Sequence, residues 1–231
     1  MLLNDSGAPT IGFLHTSPVH IGTFDTLVAE HPGGFNTVEV VDEPLLDLAR
    51  SVGPSHPDVV AGISSSLDEL ERAGASIVVC TCSTIAGEAE LVGERFDVPV
   101  VRVDRAMAER AIASGTRIAV VGALESTFSP TRALLESCAS SEGVSIEITD
   151  VFSEGSWDNF EAGNIDGYMQ SVAATCSSLG GTCDVIVLAQ ASMAVAATMV
   201  EGPIPVLSSP ALAVEAAIAA VQDRLDSGQG R

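Results

Sequence analysis

The sequence contains no lysine; all ten of its basic residues are arginine. A Schiff base to pyridoxal phosphate needs a lysine, and so does the phosphate-binding loop of nucleotide hydrolases, so both chemistries are excluded. No G-x-G-x-x-G follows a strand-like run, which removes the usual dinucleotide fingerprint. Positive charge as a whole is scarce. Against those ten arginines stand 31 acidic residues, a formal charge of −21. Such a chain repels nucleic acid and anionic membrane, so neither is an expected partner. The acids are scattered, as on a solvated surface. No window approaches the roughly 18 uninterrupted apolar residues of a membrane helix. The start, MLLNDSGAPT, lacks the basic and apolar regions of a secretory signal. Five cysteines, an odd number without framework spacing, read as reduced thiols of a cytoplasmic protein. Cys80 and Cys82 could offer zinc two sulfurs, but no second close pair or H-x-x-x-H completes the set, and no metal is expected.

What the 231 residues do contain is a repeated alternation. Strand-like runs occur at 10–15, 36–42, 76–81, 98–103, 117–122, 144–149, 183–189 and 204–208. Helical patterns lie between several of them. Val59, Ile63, Leu67 and Leu70 fall on one face of a helix over 58–74, which Gly74 would end. A helix starts near Thr84, another covers 105–114, and Ser-Pro pairs open helices at 129–143 and 209–225. The order repeats at a nearly constant offset. Gly122 lies 107 residues after His15, Gln190 lies 108 after Cys82, and Pro205 lies 106 after Pro99. Three landmarks at one offset point to internal duplication. The expected fold is α/β, with two pseudo-symmetric halves that each carry a four-stranded, mostly parallel sheet flanked by helices. The expected boundaries are 1–115 for the first half, with the C-terminal helix 209–226 packing back on it, and 116–208 for the second. The polar segment 150–168 breaks the pattern and holds the only Trp (Trp157) and the only Tyr (Tyr168). It reads as a loop over a site or as an irregular connection.

In open parallel sheets ligands sit beyond the carboxyl ends of the strands. Small polar residues gather there. His15, Thr16 and Ser17 follow the first strand, and Cys82, Ser83 and Thr84 follow the third. Ser126 and Thr127, then Gln190 and Ser192, take the equivalent places in the second half. Two pseudo-symmetric halves would face these clusters at each other across a cleft. Hydroxyls and helix-end amides suit carboxylate oxygens, which suggests a small organic acid or carbonyl compound. Cys82 stands where strand passes into helix, and a helix N-terminus favours thiolate over thiol. Cys80, two residues earlier, points to the same face but deeper. Cys138, Cys176 and Cys183 lie away from the strand tips and read as structural. His20, His31 and His56 read as solvated loop residues.

With C-S-T at 82–84 after IVV and DVIVLAQAS at 184–192, the sequence resembles the aspartate/glutamate/hydantoin racemase superfamily over essentially its whole length. The resemblance implies an active site between two such domains, no cofactor, and a homodimer or larger assembly. It also implies two cysteines on opposite faces of the substrate, one removing the Cα proton and the other returning a proton from the far side. By position Cys82 matches the first cysteine, and the second falls on Gln190. An amide donates hydrogen bonds but has no proton to trade at neutral pH, which argues against two-sulfur racemisation. Related arylmalonate decarboxylases keep one cysteine, the other one, and related maleate isomerases use the first as a nucleophile.

The expectation is therefore a cofactor-independent isomerase of the racemase type, with Cys82 as base or nucleophile and Gln190 as a hydrogen-bond donor. His15, Thr16, Ser17, Ser83, Thr84, Ser126, Thr127 and Ser192 would bind substrate. A decarboxylase and an inactive small-acid binder remain as alternatives. His15 has three further readings, as a hydrogen-bonded strand-end residue shaping the pocket, as partner of Cys82 in nucleophilic catalysis and as a second base.

Overall fold

The computed structural model describes residues 7–227. The elements run β1 (Thr10–His15), α1 (Ile21–Ala29), β2 (Asn36–Val41), α2 (Glu43–Val52), α3 (Pro57–Arg72), β3 (Ile77–Cys80), α4 (Ser83–Gly93), β4 (Val100–Arg102) and α5 (Arg105–Ser114). They continue as β5 (Arg117–Gly122), α6 (Phe128–Glu142), β6 (Glu147–Phe152), α7 (Ser156–Glu161), α8 (Ile165–Ser178), β7 (Val185–Leu188), α9 (Ala194–Ala197), β8 (Val206–Leu207) and α10 (Ser209–Asp226).

The strands form two four-stranded sheets, ordered β2-β1-β3-β4 and β6-β5-β7-β8, and every pairing is parallel. The chain falls into two compact units, one running to Val103 and resuming at Ala213, the other spanning Asp104–Leu212. Within each, helices cover both faces of the sheet. That is why β3 and β7 read as unbroken apolar runs, IVVC and VIVL, with every residue buried.

In the first unit one face packs Leu14, Val78 and Cys80 against Leu45, Ile63, Leu67 and Ile85. The other packs Ile11, Phe13, Ile77 and Val79 against Phe24, Val28 and Ala213, Val214, Ala217, Ile218 and Val221 of α10. In the second unit Val120, Val185 and Val187 meet Leu134, Leu135, Met107 and Ala111. The opposite face joins Val121, Ile186 and Leu188 to Tyr168, Val172 and Met193. The helix after β4 thus belongs to the second core. A boundary at 115 cuts the chain one helix too late, because the apolar face of α5 packs on α6 and β7.

Local chemistry sets the helix ends. Val59, Ile63, Leu67 and Leu70 are all fully buried along α3. Gly74 takes φ +88 just beyond it, and Ala75 N donates to Leu70 O at 3.1 Å, closing the helix with a left-handed turn. Asp42 caps α2 through Leu45 N at 3.2 Å. Three sequence expectations shift. The run at 144–149 pairs as β6 only from Glu147, which is level with Arg117, because Gly143 and Val144 are spent closing α6. Helix α6 begins at Phe128 with Thr127 as N-cap, so Ser129 lies inside its first turn. The segment 150–168 is neither a loop nor irregular. It completes β6, forms α7 and opens α8, and Trp157, Phe160 and Tyr168 pack in the core of the second unit.

Candidate active site

Each sheet reverses its strand order once, between β1 and β3 and between β5 and β7. At such a switch point the loops leave in opposite directions and open a crevice at the strand carboxyl ends. The residues singled out from the sequence lie on or next to the loops there.

In the first unit Cys82 is the N-cap of α4, extended at φ −99 and ψ 108, and its side chain makes no capping hydrogen bond. Its carbonyl accepts from Ile85 N at 3.2 Å and Ala86 N at 2.9 Å. Of the five thiols only Cys82 is partly open; Cys80, Cys138, Cys176 and Cys183 are buried. Cys80 sits on the same sheet face and deeper, donating its thiol to Cys82 O at 3.8 Å. Burial pushes the Cys176 thiol up to about 11 and raises that of Cys183 as well, which keeps both protonated and inert. Ser83 and Thr84 form the first turn of α4 and are partly exposed. Across the switch point, Thr16 is buried and Ser17 is extended, its hydroxyl accepting from Val19 N at 3.5 Å at the head of a short 3-10 turn, Pro18–His20.

His15 sits as a hydrogen-bonded residue at the end of β1. It is fully buried, with Nδ1 2.8 Å from Thr81 Oγ1 and Nε2 2.5 Å from Glu39 Oε2. The rings of Phe13 and Phe24 lie 5.8 and 5.7 Å from its own. With both nitrogens engaged, the imidazole offers nothing to a substrate oxygen or to Cys82 unless one of those partners is displaced. Neither Glu39 nor Thr81 stood out in the sequence. Their only signal is register: Glu39 is level with Phe13, and Thr81 follows Cys80, which is level with Leu14.

His20 is not a solvated loop residue. It is partly buried, and burial first, then the nearby charge of His15, lowers its pKa. A histidine that binds protons less readily when folded contributes stability that is complete above the unfolded value, about 6.5, and is lost as pH falls through the lowered folded value. Urea unfolding is therefore expected to show stability declining as pH drops below about 6.5, and His20→Gln should flatten that part of the curve. Equal slopes in the two proteins would contradict the assignment.

The second unit presents the same backbone with other groups. Gln190 is extended at φ −128 and ψ 133 and heads a 3-10 turn, Ala191–Met193. Its Oε1 accepts from Ala123 N at 2.8 Å, which leaves the two amide N–H donors for a ligand. Ser126 is exposed, whereas Thr127 is buried and spends its hydroxyl proton on Leu124 O at 2.7 Å. Ser192 meets the phenol of Tyr168 at 2.9 Å. Tyr168 is fully buried, and burial raises its pKa against the opposing pull of Ser192. Tyr168 is a support that the sequence showed only as a lone tyrosine.

Among the described residues no three His, Cys, Asp or Glu side chains converge on a metal-holding point, and no helix is long and apolar enough to cross a membrane.

The fold has many solved counterparts. Aspartate racemase from Picrophilus torridus superposes with a TM-score of 0.69 at 16% identity, over 93% of this chain and 95% of that one. Allantoin racemase from Klebsiella pneumoniae gives 0.63 at 18% identity, over 96% and 89%. A glycine-to-cysteine mutant of arylmalonate decarboxylase, in its sulfate-associated form, gives 0.57 at 15% identity, over 93% and 94%. Among curated proteins none matches by sequence. The sequence profile of the Asp/Glu/hydantoin racemases, however, matches residues 24–217. That span takes in Cys82 and Gln190 together with all but the first strand of the two parallel sheets, and the chain belongs to the Asp/Glu/hydantoin racemase family.

Proposed function

We propose that the chain is a cofactor-independent enzyme of the racemase and isomerase type, acting beside the carboxylate or carbonyl of a small organic acid. Cys82 is its base or nucleophile. The observation that carries this reading is the one partly open thiol, standing uncapped at the start of α4 beside the switch point of its sheet.

The chemistry follows from the groups present. A thiolate at Cys82 takes a proton from the carbon next to the carboxylate, and the bonding pair moves onto the carboxylate oxygens as an enediolate. The free N–H groups of Gln190 donate to those oxygens as their charge grows. Ser17, Ser83, Thr84, Ser126 and Ser192 hold the ground-state oxygens, while buried Thr16 and Thr127 shape the wall. The Cys82 thiol then returns the proton, to the same carbon or to a neighbouring one. Gln190 has no proton to give, so full two-sulfur racemisation is the least suited outcome. A decarboxylase is the second reading. One sulfur and an amide donor are sufficient for it, because carbon dioxide leaves with its bonding electrons behind and a single proton completes the product. We place the enzyme in the cytoplasm as a homo-oligomer.

A panel of small carboxylic acids in deuterated water, followed by NMR, tests the reading. Deuterium at Cα, a shifted double bond or loss of carbon dioxide identifies the reaction. Binding of an acid with none of these changes would show a binding protein instead.

A further inference from the structure

We propose that His15 and Glu39 are positioning residues: a buried imidazole and a partly buried carboxylate that, through Thr81, fix the turn carrying Cys82. This rests on the reading of Cys82 as the reacting sulfur.

Three neighbouring strands contribute. Glu39 comes from β2, His15 ends β1, and Thr81 follows β3. Thr81 is tied to β1 twice, its N donating to Leu14 O at 3.0 Å and its hydroxyl to the same oxygen at 3.1 Å. A hydroxyl has one proton. With that proton on Leu14 O, Thr81 Oγ1 takes the Nδ1 proton of His15 at 2.8 Å. The second ring proton then lies on the 2.5 Å line between Nε2 and Glu39 Oε2. The imidazole and the carboxylate thus share one proton across that short contact. The other oxygen, Glu39 Oε1, is buried with no partner, the only such side-chain atom among the described residues. A fold that strips a carboxylate oxygen of water and gives it nothing back retains the group for its other bond. The groups around His15 are Glu39, Thr81, the rings of Phe13 and Phe24, and the neutral His20.

The consequence falls on residue 82. Thr81 is held from one face of the sheet by His15, and Cys82 O is held from the other by the Cys80 thiol. The turn is fixed on both sides without using the Cys82 side chain. The second unit solves the same problem differently. Gly122 and Ala189 stand where the first unit has His15 and Thr81, and there Gln190 ties its own side chain to Ala123 N. The pair spares the sulfur that duty, so the Cys82 side chain stays uncommitted at the amide end of α4.

The test uses the intact protein and two readouts that need no substrate. In nitrogen-15 histidine NMR at neutral pH, His15 is expected to show two exchange-protected ring N–H signals, one far downfield, and Glu39→Gln should abolish the downfield one. Iodoacetamide alkylation of Cys82 at fixed pH, read by peptide mass spectrometry, should slow at least about fivefold in Glu39→Gln and in Thr81→Val. Thr81→Ser should return it to within about twofold. Should Glu39→Gln fail to fold, Thr81→Val against Thr81→Ser decides alone, since valine keeps the shape and removes only the hydroxyl. The proposal is overturned if His15 shows a single ring proton, or if folded Thr81→Val alkylates at the wild-type rate. Neither result bears on whether Cys82 is needed for turnover, which its own substitution decides.

Discussion

Serine at position 82 is expected to lower turnover by about a thousandfold or more, the scale seen when an enzyme loses its reacting nucleophile. The size of the effect comes from ionisation. A thiol supplies thiolate near neutral pH, whereas a serine hydroxyl does not. His15 cannot act as the serine's base, because Thr81 and Glu39 occupy both of its nitrogens. Serine is also a good N-cap, so Cys82→Ser should fold at least as well as the wild type, and lost activity would not be lost structure. The control is Cys138→Ser. Cys138 is buried in α6, away from the strand tips. A hydroxyl there costs about 1 kcal/mol of stability or somewhat more, but should leave turnover near wild type. Steady-state rates of the two variants, on whichever acid the wild type converts, give the comparison. Similar activity in both would remove Cys82 from the chemistry.

Gln190 carries the second large effect, and two substitutions separate its roles. In Gln190→Ala the amide donors disappear and Ala123 N–H loses its acceptor, now 2.8 Å away. We expect turnover to fall about a hundredfold or more, as when one oxyanion donor is removed. Stability should fall by about 1–3 kcal/mol, the penalty of an unpaired backbone N–H. Gln190→Glu keeps an acceptor for Ala123 but replaces the donors with negative charge. It should retain most of the stability and lose at least as much turnover. Denaturant midpoints and kcat, measured on both variants, give the separation. Wild-type turnover in Gln190→Glu would mean that position 190 serves the fold and not the reaction.

The sequence carried the architecture further than it carried the site. Repeated apolar runs such as IVVC and VIVL are legible because a parallel sheet buried on both faces leaves no polar alternation to confuse them. The four buried apolar positions of α3 were legible for the same reason, since one period ran without interruption. The ownership of α5 was not legible. Its apolar face is set by Met107, Ala108, Ala111 and Ile112, and any sheet of similar composition could receive it. Segment 150–168 misled because its aromatics are spaced among Asp, Asn and Gly, which read as turn residues until Phe160 and Tyr168 are seen packing together at 5.1 Å. Among candidate residues, Cys82 and Gln190 drew attention because they punctuate apolar strands at matching places in the repeat. Glu39 was hidden in an alternating strand, NTVEVV, where a glutamate ordinarily faces water. Only the pairing of β2 with β1 brings it to His15. His20 was misjudged because polarity in a loop does not reveal that the 3-10 turn folds the imidazole inward.

If one sulfur carries the reaction, activity must follow the fraction of that sulfur left unmodified. Protein carrying increasing fractions of alkylated Cys82, quantified by peptide mass spectrometry, is assayed on the acid it turns over, with and without that acid present during labelling. Activity is expected to fall in proportion to the labelled fraction and to reach zero at full labelling, with the acid slowing the loss. Activity that survives complete alkylation of Cys82 would contradict its role as the reacting sulfur.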